Sequence, residues 1–427
     1  MRVRAVILVF FWFSQIGWCA EDSLRDAAQL LDAGRSREAE GMLHRLLDHD
    51  PQNGEARQLL GDLFRKDGKG PEAEREYRRA LDLGRRDPEL FKSLATVQKW
   101  QRHYSAALSS YREALRLAPL DSEARDELED LQYRRGLSLF GAVGGSETDF
   151  TEKGWQTELT YGGIDRVNAT VGASYADKFF YTRQSNYGSA YFFLSPSRYI
   201  QVNLGQKRYN YPLATNPTPD ANAYRNVPSI EVEVGGNLHP NLRASLAYEY
   251  FRPNFFFGPS FHANNHKLSG ELSYQTSWKP LRLRLLTAVL RDPDPNGTVV
   301  DRVNRRVSVV YGTQYLVGGG ANFSFPRFEA ELLVLPNRDL DRSADYSFLG
   351  AFSVQVARHF KIRNGYIFDH YSTQSVFTRK TAHVYNAGFS WNATRWLELS
   401  AGGKTIRRPV RNDQAAYVAA TFRVPVR

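Results

Sequence analysis

Residues 241–250 read NLRASLAYEY, and the chemical character of this segment changes at every second position. Leu242 and Leu246 share one parity, whereas Arg243 and Glu249 share the other. A period of two places successive side chains on opposite faces of a β-strand. A strand with one apolar and one polar face has to lie between an apolar and an aqueous phase. The segment therefore predicts part of a sheet whose two sides meet different surroundings.

The same alternation recurs throughout the second half of the chain. We predict strands at 137–143, 155–162, 166–176, 187–194, 199–208, 229–235, 241–251, 267–275, 281–290, 305–315, 327–335, 346–356, 360–371, 381–391, 395–405 and 414–424. The 292 residues that follow Arg135 allow each strand and its connection about 18 residues, where about 10 suffice to cross a membrane. The pattern predicts an antiparallel transmembrane β-barrel of about 16 strands over residues 136–427.

A soluble β-sandwich also alternates, but three features favour the barrel. The predicted strands run to about ten residues, whereas soluble strands average five or six. Short connections (238–240, 279–280, 393–394) alternate with long ones (210–228, 252–266, 291–304), as expected for periplasmic turns and extracellular loops. Aromatic residues also lie near strand ends, where the two interfacial girdles of a membrane barrel would be, at Trp155, Tyr161, Tyr175, Tyr250, Tyr274, Trp391 and Trp396.

The first twenty residues differ from both halves of the chain. Arg2 and Arg4 precede an apolar run over residues 5–13, which is too short to span a bilayer. We therefore predict a signal peptide over residues 1–20, with cleavage after Ala20 or, alternatively, lipidation of Cys19. Cys19 is the single cysteine of the chain, which excludes a disulfide scaffold and a cysteine-based zinc or iron–sulfur site.

Residues 21–135 repeat themselves with a period of 34. Four sets of positions 34 apart carry small or large residues in register: Ala27, Gly61 and Ala95; Ala39, Ala73 and Ala107; Leu43, Tyr77 and Tyr111; Leu46, Ala80 and Ala114. Within each unit the apolar residues recur at spacings of three and four, which indicates amphipathic helices. Small residues suit close helix crossings, so each unit is predicted to be a helical hairpin.

This pattern resembles the tetratricopeptide repeat. The resemblance implies three units and a capping helix from Ser122 to Arg134, and thus an all-α solenoid ahead of the barrel in an α+β multidomain chain. Such solenoids offer a curved surface to protein partners. The alternative is a spacer that only positions the barrel.

No pattern of a catalytic or metal site stands out. His239, His262, His266, His359, His370 and His383 lack a helical spacing of four and a paired acid, and we interpret them as exposed by chance. Gly318, Gly319 and Gly320 do not open a helix after a strand, so we interpret them as a turn or bend. We expect no enzyme activity, no catalytic residue, no metal and no cofactor.

The net charge of +10 arises in the barrel half, which carries 33 Lys and Arg against 22 Asp and Glu. Charged residues of both signs fall on the polar face of the predicted strands, and a sixteen-strand barrel is wide enough for an aqueous lumen. They either set the selectivity of a pore or pair with one another to support the wall. The candidate lumen-lining residues are Glu231, Glu233, Arg243, Glu249, Lys267, Glu271, Arg282, Arg284, Arg306, Glu329, Glu331, Lys361, Arg363, Glu398 and Lys404.

The order of signal peptide, repeats and barrel resembles that of bacterial outer-membrane exopolysaccharide exporters, and strands such as LAYEY and GFSW resemble the YaiO-type barrel family. The resemblance implies a pore in the bacterial outer membrane with repeats in the periplasm. Its partners would be outer-membrane lipid, a periplasmic protein bound by the repeats and an exported polysaccharide, with no nucleic acid. The alternative is a non-transporting structural or surface barrel whose repeats bind a periplasmic protein.

Overall fold

A computed structural model of the chain describes residues 23–144, 151–178, 181–210, 226–251, 265–293, 299–301, 306–308, 311–336, 346–370, 381–407 and 412–426. The predicted signal peptide at 1–20 and His262 lie outside these residues. The chain divides into two compact units, Met1–Gln132 and Tyr133–Arg427. None of the helices within the described ranges combines the length and the hydropathy that crossing a bilayer would require.

Seven helices form the first part of the chain. They are α1 (23–32), α2 (Ser36–His49), α3 (Gly54–Lys66), α4 (Gly70–Asp82), α5 (Pro88–Trp100), α6 (Tyr104–Leu117) and α7 (Ser122–Arg135). The helices α3 and α4 pack as one hairpin and α5 and α6 as the next. The predicted repeat fold is therefore confirmed.

The helix starts follow from local sequence. Asn53, Asp87 and Asp121 accept hydrogen bonds from backbone amides three residues ahead, at 2.9, 2.8 and 3.0 Å. Each such bond satisfies a donor that the first turn leaves unpaired. Gly84 follows α4 with a φ of +87°, a left-handed conformation that favours glycine at a helix end.

The periodic positions form the core of the repeats. The alanines, leucines and tyrosines that recur every 34 residues are all buried, and Gly61 is buried with them. Gly61 lies so close to the ring of Tyr77 that a Cβ at this position would come within 2.6 Å of the ring carbons Cδ1 and Cε1. The Tyr77 hydroxyl donates to Asp62 Oδ1 at 2.7 Å, and Arg65 Nε donates to that hydroxyl at 3.2 Å. Burial raises the pKa of Tyr77 and of the Asp62 carboxyl.

The second part of the chain consists of strands. They are β1 (Leu137–Gly144), β2 (Thr151–Ile164), β3 (Val167–Lys178), β4 (Tyr181–Ser195), β5 (Arg198–Asn210), β6 (Asn226–His239), β7 (Leu242–Phe251), β8 (Asn265–Gln275), β9 (Leu281–Pro293), β10 (Val299–Asp301), β11 (Arg306–Ser308), β12 (Tyr311–Phe325), β13 (Phe328–Pro336), β14 (Tyr346–Ala357), β15 (Phe360–His370), β16 (Thr381–Asn392), β17 (Leu397–Arg407) and β18 (Asn412–Val424).

Sixteen of these strands form a closed antiparallel barrel, and β10 and β11 form a separate two-stranded sheet. Each barrel strand pairs with its neighbours along the chain, and β18 closes the barrel on β1 over eight residue pairs from Leu137↔Val424 to Gly144↔Tyr417. The prediction of a barrel of about 16 strands is confirmed. The connections at one edge have two to five residues; most of those at the other edge are longer. We call these the short-turn edge and the long-connection edge.

The outer face of the barrel wall is apolar. Large exposed hydrophobics occupy alternate positions of the strands, as with Leu246 and Tyr248 on β7 and Leu268 and Leu272 on β8. The register pairs Leu246 with Gly270 and Tyr248 with Leu268, so these residues share one face of the wall. Polar residues take the other parity, which faces the lumen.

The tenth predicted strand was wrong in position. Residues 305–315 are divided between the hairpin strand β11 and the start of β12, and the barrel strand runs on to Phe325. Gly318, Gly319 and Gly320 are therefore inside β12 and not in a turn. At Gly320 a Cβ would lie 2.0 Å from the Leu332 carbonyl oxygen, so the close approach of the neighbouring strand requires glycine there.

Candidate pore lining

The barrel encloses an open cavity of about 790 Å³ near the short-turn edge. Most of the side chains around it are polar or charged. Of the candidate lumen-lining residues, nine line this cavity: Glu233, Arg243, Glu271, Arg282, Arg284, Glu329, Glu331, Lys361 and Arg363.

The other candidates divide into two groups. The residues on barrel strands share the inner parity of their strands by register, and they are Glu231, Glu249, Lys267, Glu398 and Lys404. Arg306 was placed wrongly, since it lies in β11 of the separate hairpin and not on a barrel strand. Its segment alternates like a barrel strand, but only three of its residues pair, and they pair with β10.

Arg284 is the centre of a charge network in the cavity. Its guanidinium donates twice to Glu271, at 2.8 and 3.0 Å, and once to Glu331, at 2.6 Å. Asn322 Nδ2 donates to the same Glu331 oxygen at 3.3 Å. A bidentate arginine bond fixes both partners in orientation as well as position. The network ties β8, β9, β12 and β13 together across the inner wall.

Further pairs of opposite charge lie close to the short-turn edge. Lys361 Nζ donates to Glu329 Oε2 at 2.9 Å, and Ser353 Oγ donates to the same oxygen at 3.0 Å. Arg423 on the closing strand pairs with Glu398 on β17. The same charged residues thus pair across the wall and line the cavity, and their effect on selectivity stays a prediction.

On the wall formed by β2 to β6, carboxylates are bound by neutral donors. The Tyr199 hydroxyl donates to Glu233 Oε1 at 2.5 Å, and Asn203 Nδ2 donates to Glu231 Oε2 at 2.9 Å. The Tyr199 ring lies 5.8 Å from that of Tyr191, and the Arg243 guanidinium is 5.2 Å from its centroid. This wall therefore combines aromatic rings with carboxylate and amide groups.

The tyrosines of this wall are held by glycines on the neighbouring strand. A Cβ at Gly235 would lie 2.6 Å from Tyr199, its register partner, and a Cβ at Gly172 would lie 2.4 Å from Tyr187. Tyr187 likewise donates to a glutamate, Glu158, at 2.5 Å. The sequence alone does not identify Tyr187 and Tyr199 as lumen residues. Their signal is a tyrosine paired with a glycine on the next strand, and it can be recognised only when the register between the strands is known.

Inner-face residues near the long-connection edge are buried. Leu290 and Val384 are each 1% exposed, and Leu333 and Ile367 are also buried. Ser347 Oγ donates to Asp369 Oδ1 at 2.6 Å, and both residues are fully buried. A water-filled lumen would leave such side chains exposed, so water reaches the inner face at the short-turn edge but not at these residues.

The repeats use many of their charged residues for internal pairing. Lys92 Nζ lies within 3.3 Å of carboxylate oxygens of Glu89, Asp121 and Glu123, and its pKa is raised by these carboxylates against the effect of burial. Bonds from the Ala124 amide and from Lys92 lower the pKa of Asp121. In the described ranges, no group of three His, Cys, Asp or Glu side chains could hold a metal ion.

Known proteins match separate parts of the chain. The tetratricopeptide-repeat family model matches residues 30–96. No curated protein sequence matches the chain. Among solved structures, a bacterial polysaccharide outer-membrane secretin shares 12% identity and a TM-score of 0.43, covering 69% of this chain and 99% of its own.

Two tetratricopeptide-repeat structures match the first part of the chain. YrrB, described as having an unusual peptide-binding site, shares 22% identity over 26% of this chain, with a TM-score of 0.26. An O-GlcNAc transferase from Thermobaculum terrenum shares 25% identity over 27% of this chain, again with a TM-score of 0.26. The chain spans 57% of the length of YrrB and 22% of that of the transferase.

Proposed function

We propose that this protein is a pore of the bacterial outer membrane whose repeats bind a protein partner in the periplasm. The observation that carries the proposal is the two-sided wall of the closed barrel. Its outer face is apolar, and its inner face lines a charged cavity of about 790 Å³. Only lipid outside and water inside satisfy both faces of such a wall.

The orientation follows from the connections. Short turns lie on the periplasmic side of bacterial outer-membrane barrels and long loops on the outside. β1 begins and β18 ends at the short-turn edge. Because the repeats precede β1 in the chain, we assign them to the periplasm, with residues 1–20 as the export signal.

The cargo that we propose is an exopolysaccharide. Stacked Tyr191 and Phe193 rings, with centroids 6.0 Å apart, lie beside the amides and carboxylates of the β5 and β6 wall. Such a surface suits a hydroxyl-rich polymer, because rings pack on sugar faces while carboxylates and amides bind hydroxyl groups. Conduction would be passive and would need no enzyme chemistry and no cofactor. We also propose that the chain is a YaiO-type barrel, because strands such as LAYEY and GFSW resemble that family.

A second candidate is a barrel that transports nothing and serves as a surface or structural protein. The burial of four inner-face residues favours it, because a water-filled lumen would leave their side chains exposed: Leu290, Leu333, Ile367 and Val384. If the protein is a pore, the burial of these residues would correspond to a closed state of the lumen.

Single-channel recording in planar bilayers tests the pore. We expect discrete conductance steps from the purified full-length protein, and their complete absence would favour the structural barrel. In parallel, a deletion strain should lose polymer from its surface, and complementation should restore it. Unchanged polymer export in that strain would exclude the proposed cargo even if the barrel conducts ions.

A further inference from the structure

The outer face of the barrel carries a cluster of tyrosine, histidine and arginine near the long-connection edge. The Tyr248 hydroxyl on β7 lies 2.7 Å from His266 Nδ1 on β8. Arg291 on β9 is the register partner of His266. The Tyr250 ring, opposite His266 on the other side, lies 5.5 Å from the imidazole centroid.

The same arrangement occurs a second time on β15, β16 and β17. The Tyr366 hydroxyl on β15 lies 2.8 Å from His383 Nδ1 on β16. Arg407 on β17 is the register partner of His383. Phe368, opposite His383, lies 5.3 Å from the imidazole centroid. Two sets of three adjacent strands thus carry one pattern at the same edge of the wall.

Both clusters face outward. His266 shares its parity with the exposed Leu268 and Leu272, and His383 shares its parity with the exposed Phe389 and Trp391. In the orientation proposed above, the long-connection edge is the extracellular one. Arginine and histidine on the lipid-facing side of that edge meet the headgroups of the outer leaflet.

A concave depression of about 830 Å³ adjoins the second cluster. Tyr366 and Tyr385 line it together with the small outward residues Gly350, Ala387 and Gly403. These residues come farther along their strands from the long-connection edge than His383 and Arg407 do. The depression therefore starts beside the basic residues and continues along the wall toward the membrane interior. Its polar outward residues are Asn364, Thr405 and Gln414, and Asn386 and Lys404 of the inner parity border it.

We propose that this depression and its cluster form a binding site for a phosphorylated glycolipid of the outer leaflet. Arg407 would bind the phosphate, because its guanidinium donors match phosphate oxygens. Tyr366 holds His383 through Nδ1, so Nε2 points away from the tyrosine toward a ligand. The tyrosine rings and small residues of the depression take an acyl chain, and the cluster at His266 and Arg291 binds the phosphate of a second lipid.

The occupant is a lipid and not a free anion, since phosphate recognition and the acyl-chain depression are continuous on one lipid-facing surface. The inference rests on the outer-membrane placement proposed above but not on conduction. A barrel without conductance that still binds the lipid would refute the pore and leave this site intact. A conducting barrel that does not bind it would do the reverse.

The test uses the purified full-length protein in detergent micelles, with diphosphoryl lipid A as the probe and native mass spectrometry as the readout. Arg407→Gln should weaken binding at the second site about tenfold, the factor that corresponds to about 1.4 kcal/mol. The matched control is Arg208→Gln. Arg208 is exposed, lies near the same edge of β5 and shares the parity of the outward Leu204.

A second pair of variants tests the depression. Ala387→Leu should fill it and reduce lipid A binding, whereas Ala401→Leu, an outward residue of β17 outside the depression, should not. Excess inorganic phosphate should leave the bound lipid in place. Equal lipid binding by wild type and Arg407→Gln, an equal loss in Arg208→Gln, or displacement by inorganic phosphate would each overturn the proposal.

Discussion

The repeats and the barrel place their apolar residues on opposite sides of their structures. Tyr77 in the repeats is fully buried, whereas Leu246 on the barrel wall is 50% exposed. In the placement proposed above, water surrounds the helices, which bury their core, and lipid surrounds the barrel wall, which presents its apolar face. The location of the large apolar side chains thus tells which solvent each region meets.

One packing device is shared by both regions. In the repeats, Tyr77 lies on Gly61 and donates to Asp62; in the barrel, Tyr199 lies on Gly235 and donates to Glu233. In each case a Cβ on the glycine would come within 2.6 Å of the ring. The difference is the space behind the ring, which is closed by helices in one region and opens on a cavity in the other. Substitutions that exploit this difference should have unequal effects.

The largest effect is expected from Tyr77→Ala. Removing a fully buried aromatic side chain leaves a cavity and takes away the shortest hydrogen bond to Asp62, at a cost of about 3–5 kcal/mol. The measurement is urea unfolding of the full-length protein in detergent, followed by the helical circular-dichroism signal. Leu120→Ala is the control, since Leu120 is 92% exposed and should change the midpoint little. Equal midpoints for both variants would contradict the assignment of Tyr77 to the core.

Alanine at the two glycines tests the shared device directly. Gly61→Ala should destabilise the repeats by about 1–2 kcal/mol, because overpacking exceeds the gain in helix propensity of about 1 kcal/mol. Gly235→Ala should be milder, because the Tyr199 ring can swing into the cavity. Gly235→Ala should instead lower the single-channel conductance, because the displaced Tyr199 ring narrows the lumen. Equal destabilisation in urea would show that the cavity gives the ring no freedom.

A smaller effect, of about 1 kcal/mol, is expected at the Asp121 cap. The pKa of Asp121 is lowered in the folded state, so its carboxylate stabilises α7 at a pH above the pKa of the unfolded chain. This contribution is lost as the pH falls below about 4. Asp121→Asn keeps a capping side chain but removes the titration. The urea midpoint of the wild type minus that of Asp121→Asn should therefore become smaller when the pH is lowered from 6 to 3. The opposite shift of Asp62 cancels in this difference. A difference that is constant with pH would refute the role of the charge.

The smallest change in stability is expected from Arg284→Gln, although it should alter selectivity. Water in the cavity can solvate Glu271 and Glu331, each about one-third exposed, so unfolding should move by less than about 1 kcal/mol. Loss of one positive charge should shift the reversal potential in a salt gradient toward cations. Arg282→Gln at the same cavity is the matched comparison. If Arg284→Gln unfolds the barrel instead, the network is structural and does not set selectivity.

Periodicity predicted most of the fold, because each region repeats one physical rule. The period of 34 identified the buried positions such as Gly61 and Tyr77, and the period of two gave the strand number. Periodicity misplaced the strand at 305–315 and interpreted Gly318–Gly320 as a turn. In a sequence, a glycine that a close neighbouring strand requires cannot be distinguished from a glycine in a turn. Most of the candidate lining residues follow from parity alone.

The pairing of His266 with Tyr248 could not have been predicted, because it depends on the register between strands. The same is true of Tyr199 on Gly235. A single sequence gives the face on which a side chain lies but not the neighbour that it meets. The sites where chemistry is concentrated are therefore less visible in the sequence than the wall that carries them.

The pairing of β1 with β18 has a consequence for assembly. Until β18 is in place, β1 has only β2 as a neighbour and presents an unpaired edge, which can associate with other chains. Closure joins the two most distant strands of the barrel, so its entropic cost falls at the end of folding and contributes to a slow step. In the membrane placement proposed above, the nascent wall, apolar on one face, has to be protected from aggregation during that interval, before it reaches lipid.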